Sequence, residues 1–200
     1  MTGGDAGDND AVVVDPDAIA EATDPLDIGA GDAPPGTYAL VYSLPAATTM
    51  TVGALGTAEF PAGAYAYVGS AFGSNGRGRV DRHRRVAEGS HTVTHWHIDY
   101  FGGHDTTSLV GVVAAPRANV ECRLATELRD RASASQTVGA GSGAGAGAGS
   151  GAGASPHGSG ERPLDGFGAS DCDCPTHFVG GAGPKELRSW AAEAFQRVQR

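Results

Sequence analysis

Phe60-Pro61-Ala62-Gly63-Ala64-Tyr65-Ala66-Tyr67-Val68-Gly69-Ser70-Ala71 is followed, after a Gly/Ser/Asn stretch, by Arg79-Val80-Asp81-Arg82-His83. Pro61-Ala62-Gly63 reads as a turn, and residues 64–70 as a strand that stops at a glycine. Ser74 or Asn75 is the expected cap of a helix running to Ala87, with Gly76 and Gly78 weakening its first turn. Towards the N-terminus, residues 37–44 (TYALVYSL) form a mostly apolar, β-rich inner strand opened by Gly36-Thr37-Tyr38. Between these two strands, residues 48–52 and 57–60 flank Gly53-Ala54-Leu55-Gly56 and read as a hairpin. Towards the C-terminus, the pattern predicts a short helix over 95–101 and a buried strand over 107–115. It then predicts a helix from Val120 to about Ala132 capped by Asn119, a strand over 176–179, and a last helix from Lys185 to Val198 after Pro184. The fold class expected is α/β (α+β): a small central antiparallel sheet of about three strands, flanked by helices, with a β-hairpin insertion.

Around that kernel the composition changes. Residues 1–35 hold nine Asp or Glu and no Lys or Arg, so they account for the whole net charge of −9. With one short apolar patch, Val12-Val13-Val14, they read as an acidic disordered head. Residues 36–132 read as the main domain. Residues 133–162, which contain the Gly/Ala/Ser tract from Gly139 to Gly153, read as a flexible linker, and 163–200 as the remainder of the domain plus a C-terminal helix. Glycine is 32 of 200 residues, against a usual ~7%, and the tract holds much of the excess.

Asp outnumbers Glu by 15 to 8, and one of the 14 basic residues is lysine. This is a halophilic composition, fitting a salt-rich cytosol in which an acidic surface maintains solubility; a GC-rich genome with an acidic tail gives the same counts. No apolar run approaches the ~18 residues of a membrane span. The acidic N-terminus lacks a secretory pattern, so the expected location is cytoplasmic, with no membrane partner.

Tyr38 and Tyr67 lie in strands, where tyrosines commonly fill core space, but the second is followed at once by Val68-Gly69. Gly69 would allow a phosphate close to the backbone. Arg77, Arg79, Arg82, Arg84 and Arg85 make a basic block within nine residues. Such a block is either a solvated helix face or a phosphate-binding surface. Cys172-Asp173-Cys174 with His177 and Cys122 could supply four zinc ligands. The alternative is ordinary thiols in a reducing cell beside a strand histidine.

In this order and spacing, GTY (36–38), YVG (67–69), RVDRH (79–83), HWHIDY (95–100), ECRLATEL (121–128) and GFGASDCDCPTHF (166–178) resemble the GIY-YIG nuclease superfamily, and within it the Uri-type endonuclease branch. The resemblance covers about 36–132 and 163–180. It implies a metal-dependent DNA endonuclease, acting in repair or in processing of structured DNA. Tyr38, Tyr67, Arg79, His83 and Glu121 would be catalytic, with Tyr38 slightly favoured over Tyr67 as base. Glu121 would hold Mg2+ or Mn2+. Gly69, Ser70, Arg77, Arg82, Arg85, His95 and His97 would meet DNA. Arg79 is preferred to Arg77 because His83 stands one turn further along the same helix face. The glycine tract departs from the family pattern, which usually runs on directly. Two other readings stay open: a non-cleaving nucleic-acid-binding module on the same fold, and a zinc-stabilised interaction domain.

Overall fold

Five strands form one antiparallel sheet in the computed structural model, which describes residues 10–73, 76–139 and 165–200. They are β1 (Val12–Val14), β2 (Gly36–Leu44), β5 (Gly63–Ser70), β6 (Ser108–Pro116) and β7 (Phe178–Ala182), in the order β1-β6-β2-β5-β7. Strands β3 (Thr48–Thr51) and β4 (Thr57–Phe60) pair as the separate hairpin that the Gly-containing loop predicts. The three expected central strands are thus extended on both sides by edge strands. Ser74, Asn75 and residues 140–162 lie outside the described residues.

Strand β2 takes the centre because it is apolar on both faces; every residue in it except Ser43 is buried. Its period-two alternation separates two cores. Tyr38, Leu40 and Tyr42 share one face with Tyr65 and Tyr67 of β5. Ala39 and Val41 share the other with Ala66 and Val68. The large-residue face packs under α2 (Gly76–Ala87) and α3 (His97–Gly102). The small-residue face accommodates α4 (Glu121–Gly139) and α5 (Pro184–Val198). On α5, Leu187, Trp190, Ala191 and Ala194 are buried at helical spacing. Helix α4 continues to Gly139, past the expected boundary at 132.

The disordered head is corrected for its described part, residues 10–35. Val12–Val14 pair antiparallel with Val112–Ala114 of β6, because that edge still offers unpaired backbone groups. Helix α1 (Pro16–Ala20) follows, with Asp15 Oδ1 accepting from the Asp17 N–H at 3.0 Å. Asp24 is buried and accepts from the N–H groups of Leu26, Ile28 and Gly29. Val14, Ile19 and Ile28 are each at most 3% exposed. The acidic residues that suggest disorder instead cap and organise the segment, and a few well-spaced apolar residues seal one end of the core.

Candidate functional site

Five separate segments bring the sequence motifs together at one cleft of about 380 Å³. The end of β5 supplies Tyr67 and Ser70, and α2 supplies Arg79. The segment leading into α3 supplies His95, Trp96 and His97. The first residue of α4 supplies Glu121, and the loop before β7 supplies Gly168, Ser170 and Asp171.

Glu121 is placed by the first motif. Thr37 Oγ1 donates to Ala118 O at 2.7 Å and accepts from the Val120 N–H at 3.1 Å. That hydroxyl occupies one of the orphan backbone donors at a helix start and fastens α4 to the central strand. The loop before β7 is placed by its own backbone: His177 N–H donates to Phe167 O at 2.8 Å, and Val68 N–H donates to His177 O at 2.9 Å. Gly168 has φ +71°, and a Cβ there would lie 2.6 Å from Tyr67 Cε2. Only glycine lets the loop lie against that ring. Gly168 N–H also donates to His97 Nδ1 at 3.3 Å.

The two motif tyrosines are not equivalent. Tyr67 lines the cleft, whereas Tyr38 is 2% exposed and absent from its wall. Gly69 is needed for Tyr38 rather than for a phosphate: a Cβ on Gly69 would lie 2.6 Å from Tyr38 Cζ and Oη. Tyr38 Oη is buried with no hydrogen-bond partner among the described residues. Burial pushes the Tyr38 phenol well above its usual range, and the Tyr67 phenol also rises through burial and Glu121, with Arg79 opposing.

Among the described guanidinium groups of α2, Arg79 alone lacks a carboxylate partner. Arg82 pairs with Asp99 at 2.7 Å, and Arg85 with Asp81 at 3.1 Å. Arg84 bridges Asp81 and Glu88. Arg79 Nη1 donates to Ser70 O at 2.8 Å, and its guanidinium lies 4.9 Å over the Trp96 ring, at the cleft. Arg82 and Arg85 border an adjoining groove of about 660 Å³ that Arg79 and Trp96 also line. Arg77 lies on α2, and its side chain is outside what is described.

His83 is not on the cleft surface. It is 2% exposed, with its ring 6.1 Å from Tyr38 and 6.2 Å from Tyr67, and its Nδ1 lies 2.9 Å from Asp99 Oδ1. Burial lowers its pKa and Asp99 opposes that. His83 therefore supports the tyrosines from beneath. Burial also lowers His97.

Asp99 is the residue sequence reasoning missed. It accepts from Arg82, His83, and the backbone N–H groups of His95 and Trp96. Burial would raise its carboxyl, but the hydrogen bonds from His83, Arg82 and His95 outweigh that and hold it well below the usual carboxylate range. A lone acid inside the quoted 95–100 motif was the available signal. Asp171 was also passed over, although it falls within the quoted 166–178 motif.

Beside the cleft, Cys122, Cys172, Cys174 and His177 converge, with one ligand atom from each lying within 4.8 Å of all the others. This Cys3His set could hold a metal ion such as zinc, whose usual ligands are thiolate and imidazole. Glu121 borders both this cluster and the cleft. No helix among the described residues is long and apolar enough to cross a membrane.

A family model described as a domain of unknown function, DUF123, matches residues 37–145, more than half of the chain. No curated protein and no solved structure matches.

Proposed function

The chain belongs to the family described as domain of unknown function DUF123, and from this and the geometry of the cleft we propose that it is a metal-dependent DNA endonuclease of the Uri-type GIY-YIG kind. The observation that carries the reading is the cleft itself: Arg79, free of any carboxylate partner among the described residues, shares it with Tyr67 and Glu121. Hydrolysis joins a water oxygen to phosphorus, breaks a P–O ester bond and moves a proton from water to a base. Arg79 offers a fixed cation for charge building on the phosphoryl oxygens. The resemblance slightly favours Tyr38 as base, but Tyr67 lines the cleft and Tyr38 is buried away from it, so Tyr67 is the hydroxyl we assign to take the water's proton.

Glu121 and Asp171 line the same cleft and present hard carboxylate oxygens, the donor type that suits Mg2+ or Mn2+. Such a cation would offset the Glu121 charge that raises the Tyr67 phenol and would steady the leaving oxygen. Processing of structured DNA and a role in repair belong to the same proposal, as does a cytoplasmic location.

The test is nicking of supercoiled plasmid, and cleavage of branched and damaged duplexes, at high KCl with and without Mg2+ or Mn2+. Arg79→Ala and Glu121→Gln are expected to cut about 10²–10³-fold more slowly than the parent. Tyr67→Phe should be more damaging than Tyr38→Phe. A second reading, a DNA-binding module that does not cut, draws on the raised phenols of both tyrosines. Retained DNA binding with no cleavage of any substrate under any metal would replace the first reading by the second.

A further inference from the structure

We propose that Cys122, Cys172, Cys174 and His177 form a closed structural zinc site whose histidine ligand orients Glu121. The ligands come from three places in the fold: the first turn of α4, the loop after Gly168, and the residue just before β7. Tetrahedral zinc, with Zn–S of about 2.3 Å and Zn–N of about 2.0 Å, requires sulfur and nitrogen ligands about 3.5 Å apart. The distances from His177 Nε2 to Cys172 Sγ and Cys122 Sγ are 3.3 and 4.0 Å, on either side of that value. Four protein ligands fill a tetrahedral shell, so the site is structural rather than one that leaves a position open for water or substrate.

The orientation of His177 is the second observation. Its side chain is 1% exposed, its Nε2 faces the thiols, and its Nδ1 lies 3.3 Å from Glu121 Oε1. Nδ1 makes no hydrogen bond among the described residues, and the carboxylate that stands beside it is that of Glu121. A histidine that ligates through one ring nitrogen and turns the other to a carboxylate has its tautomer and ring plane fixed by that carboxylate. The constraint works in both directions. Metal on Nε2 holds the ring, the ring holds Oε1, and Cys122 holds the residue next to Glu121 in the chain. Glu121 itself also lines the cleft. The role of Glu121 in cleavage rests on the endonuclease reading; the zinc site does not.

The test uses the full chain purified without chelator. Metal analysis should give one zinc per chain, and replacement by Co2+ should give the intense thiolate-to-cobalt band of a tetrahedral sulfur-rich site. Cys174→Ser and Cys172→Ser should each lose the metal. Glu121→Gln, which changes no ligand, should weaken zinc affinity about 10–100-fold in competition with a chromophoric chelator, as loss of a partner to a ligating histidine does. An absence of both zinc and the cobalt band would overturn the site, whatever the nicking assay shows. Unchanged zinc affinity in Glu121→Gln would overturn the link between His177 and Glu121. One zinc per chain without cleavage by any form would refute the endonuclease reading and leave the metal site standing.

Discussion

Replacing Asp99 by Asn should be among the most damaging isosteric changes in this protein. The carboxylate side chain is fully buried, at 0% exposure. Its Oδ1 accepts from Arg82 Nη1 at 3.1 Å and His83 Nδ1 at 2.9 Å. Its Oδ2 accepts from Arg82 Nη2 at 2.7 Å, His95 N at 2.8 Å and Trp96 N at 3.0 Å. An amide keeps one oxygen and turns an NH2 towards donors, whichever way it flips, and it leaves the Arg82 charge without its partner. Breaking a buried pair from one side costs about 3–5 kcal/mol, a large share of the ~5–15 kcal/mol that holds a domain folded. Urea unfolding at pH 7, followed by tryptophan fluorescence, would measure it.

The pH dependence supplies a second check. The folded-state pKa of Asp99 is lowered, so its contribution is fully present above the unfolded value of ~3.9 and is lost as pH falls towards the folded value. The stability gap between parent and Asp99→Asn should therefore be constant above about pH 5 and narrow by roughly 1 kcal/mol by pH 3. A gap below about 1 kcal/mol at pH 7, well short of the expected buried-pair cost, or one that does not narrow in acid, would refute the account of Asp99 as the anchor of the cleft wall.

Ile19→Ala should destabilise by about 2–5 kcal/mol in urea, as for a fully buried aliphatic residue; an unchanged midpoint would mean that the N-terminal segment does not seal the core. Gly168→Ala combines a positive φ with a contact on Tyr67. Its strain of about 1–2 kcal/mol should lower the melting temperature by roughly 2–8 °C and slow any cleavage with it. Arg197→Ala removes an ion pair that is 58% and 33% exposed on its two sides, and should change stability by less than about 1 kcal/mol.

The amino-acid sequence by itself determined the alternating strands, the hairpin, the helices after 119 and 184, and the motif residues Tyr67, Arg79 and Glu121. Each of these depends on local periodicity, turn chemistry or the spacing of a family pattern, and such signals survive without a fold. It also picked out the three cysteines and the histidine that converge, although the tight Cys-x-Cys spacing left their meeting undecided. Tertiary structure decided the rest. Tyr38 and Tyr67 lie on one face of the sheet by period two, and what covers each, Gly69 of the paired strand or Gly168 of a distant loop, determines which reaches the cleft. Residues 12–35 are too acidic to order alone, and they do so because β6 presents an open edge and the core an open end. Asp99 was hidden because its donors come from α2 and from backbone at 95 and 96, and no sequence pattern records a carboxylate's partners. The position of Glu121 between His177 and the cleft is likewise a property of the packed sheet: it exists only where α4, β7 and the end of β5 come together.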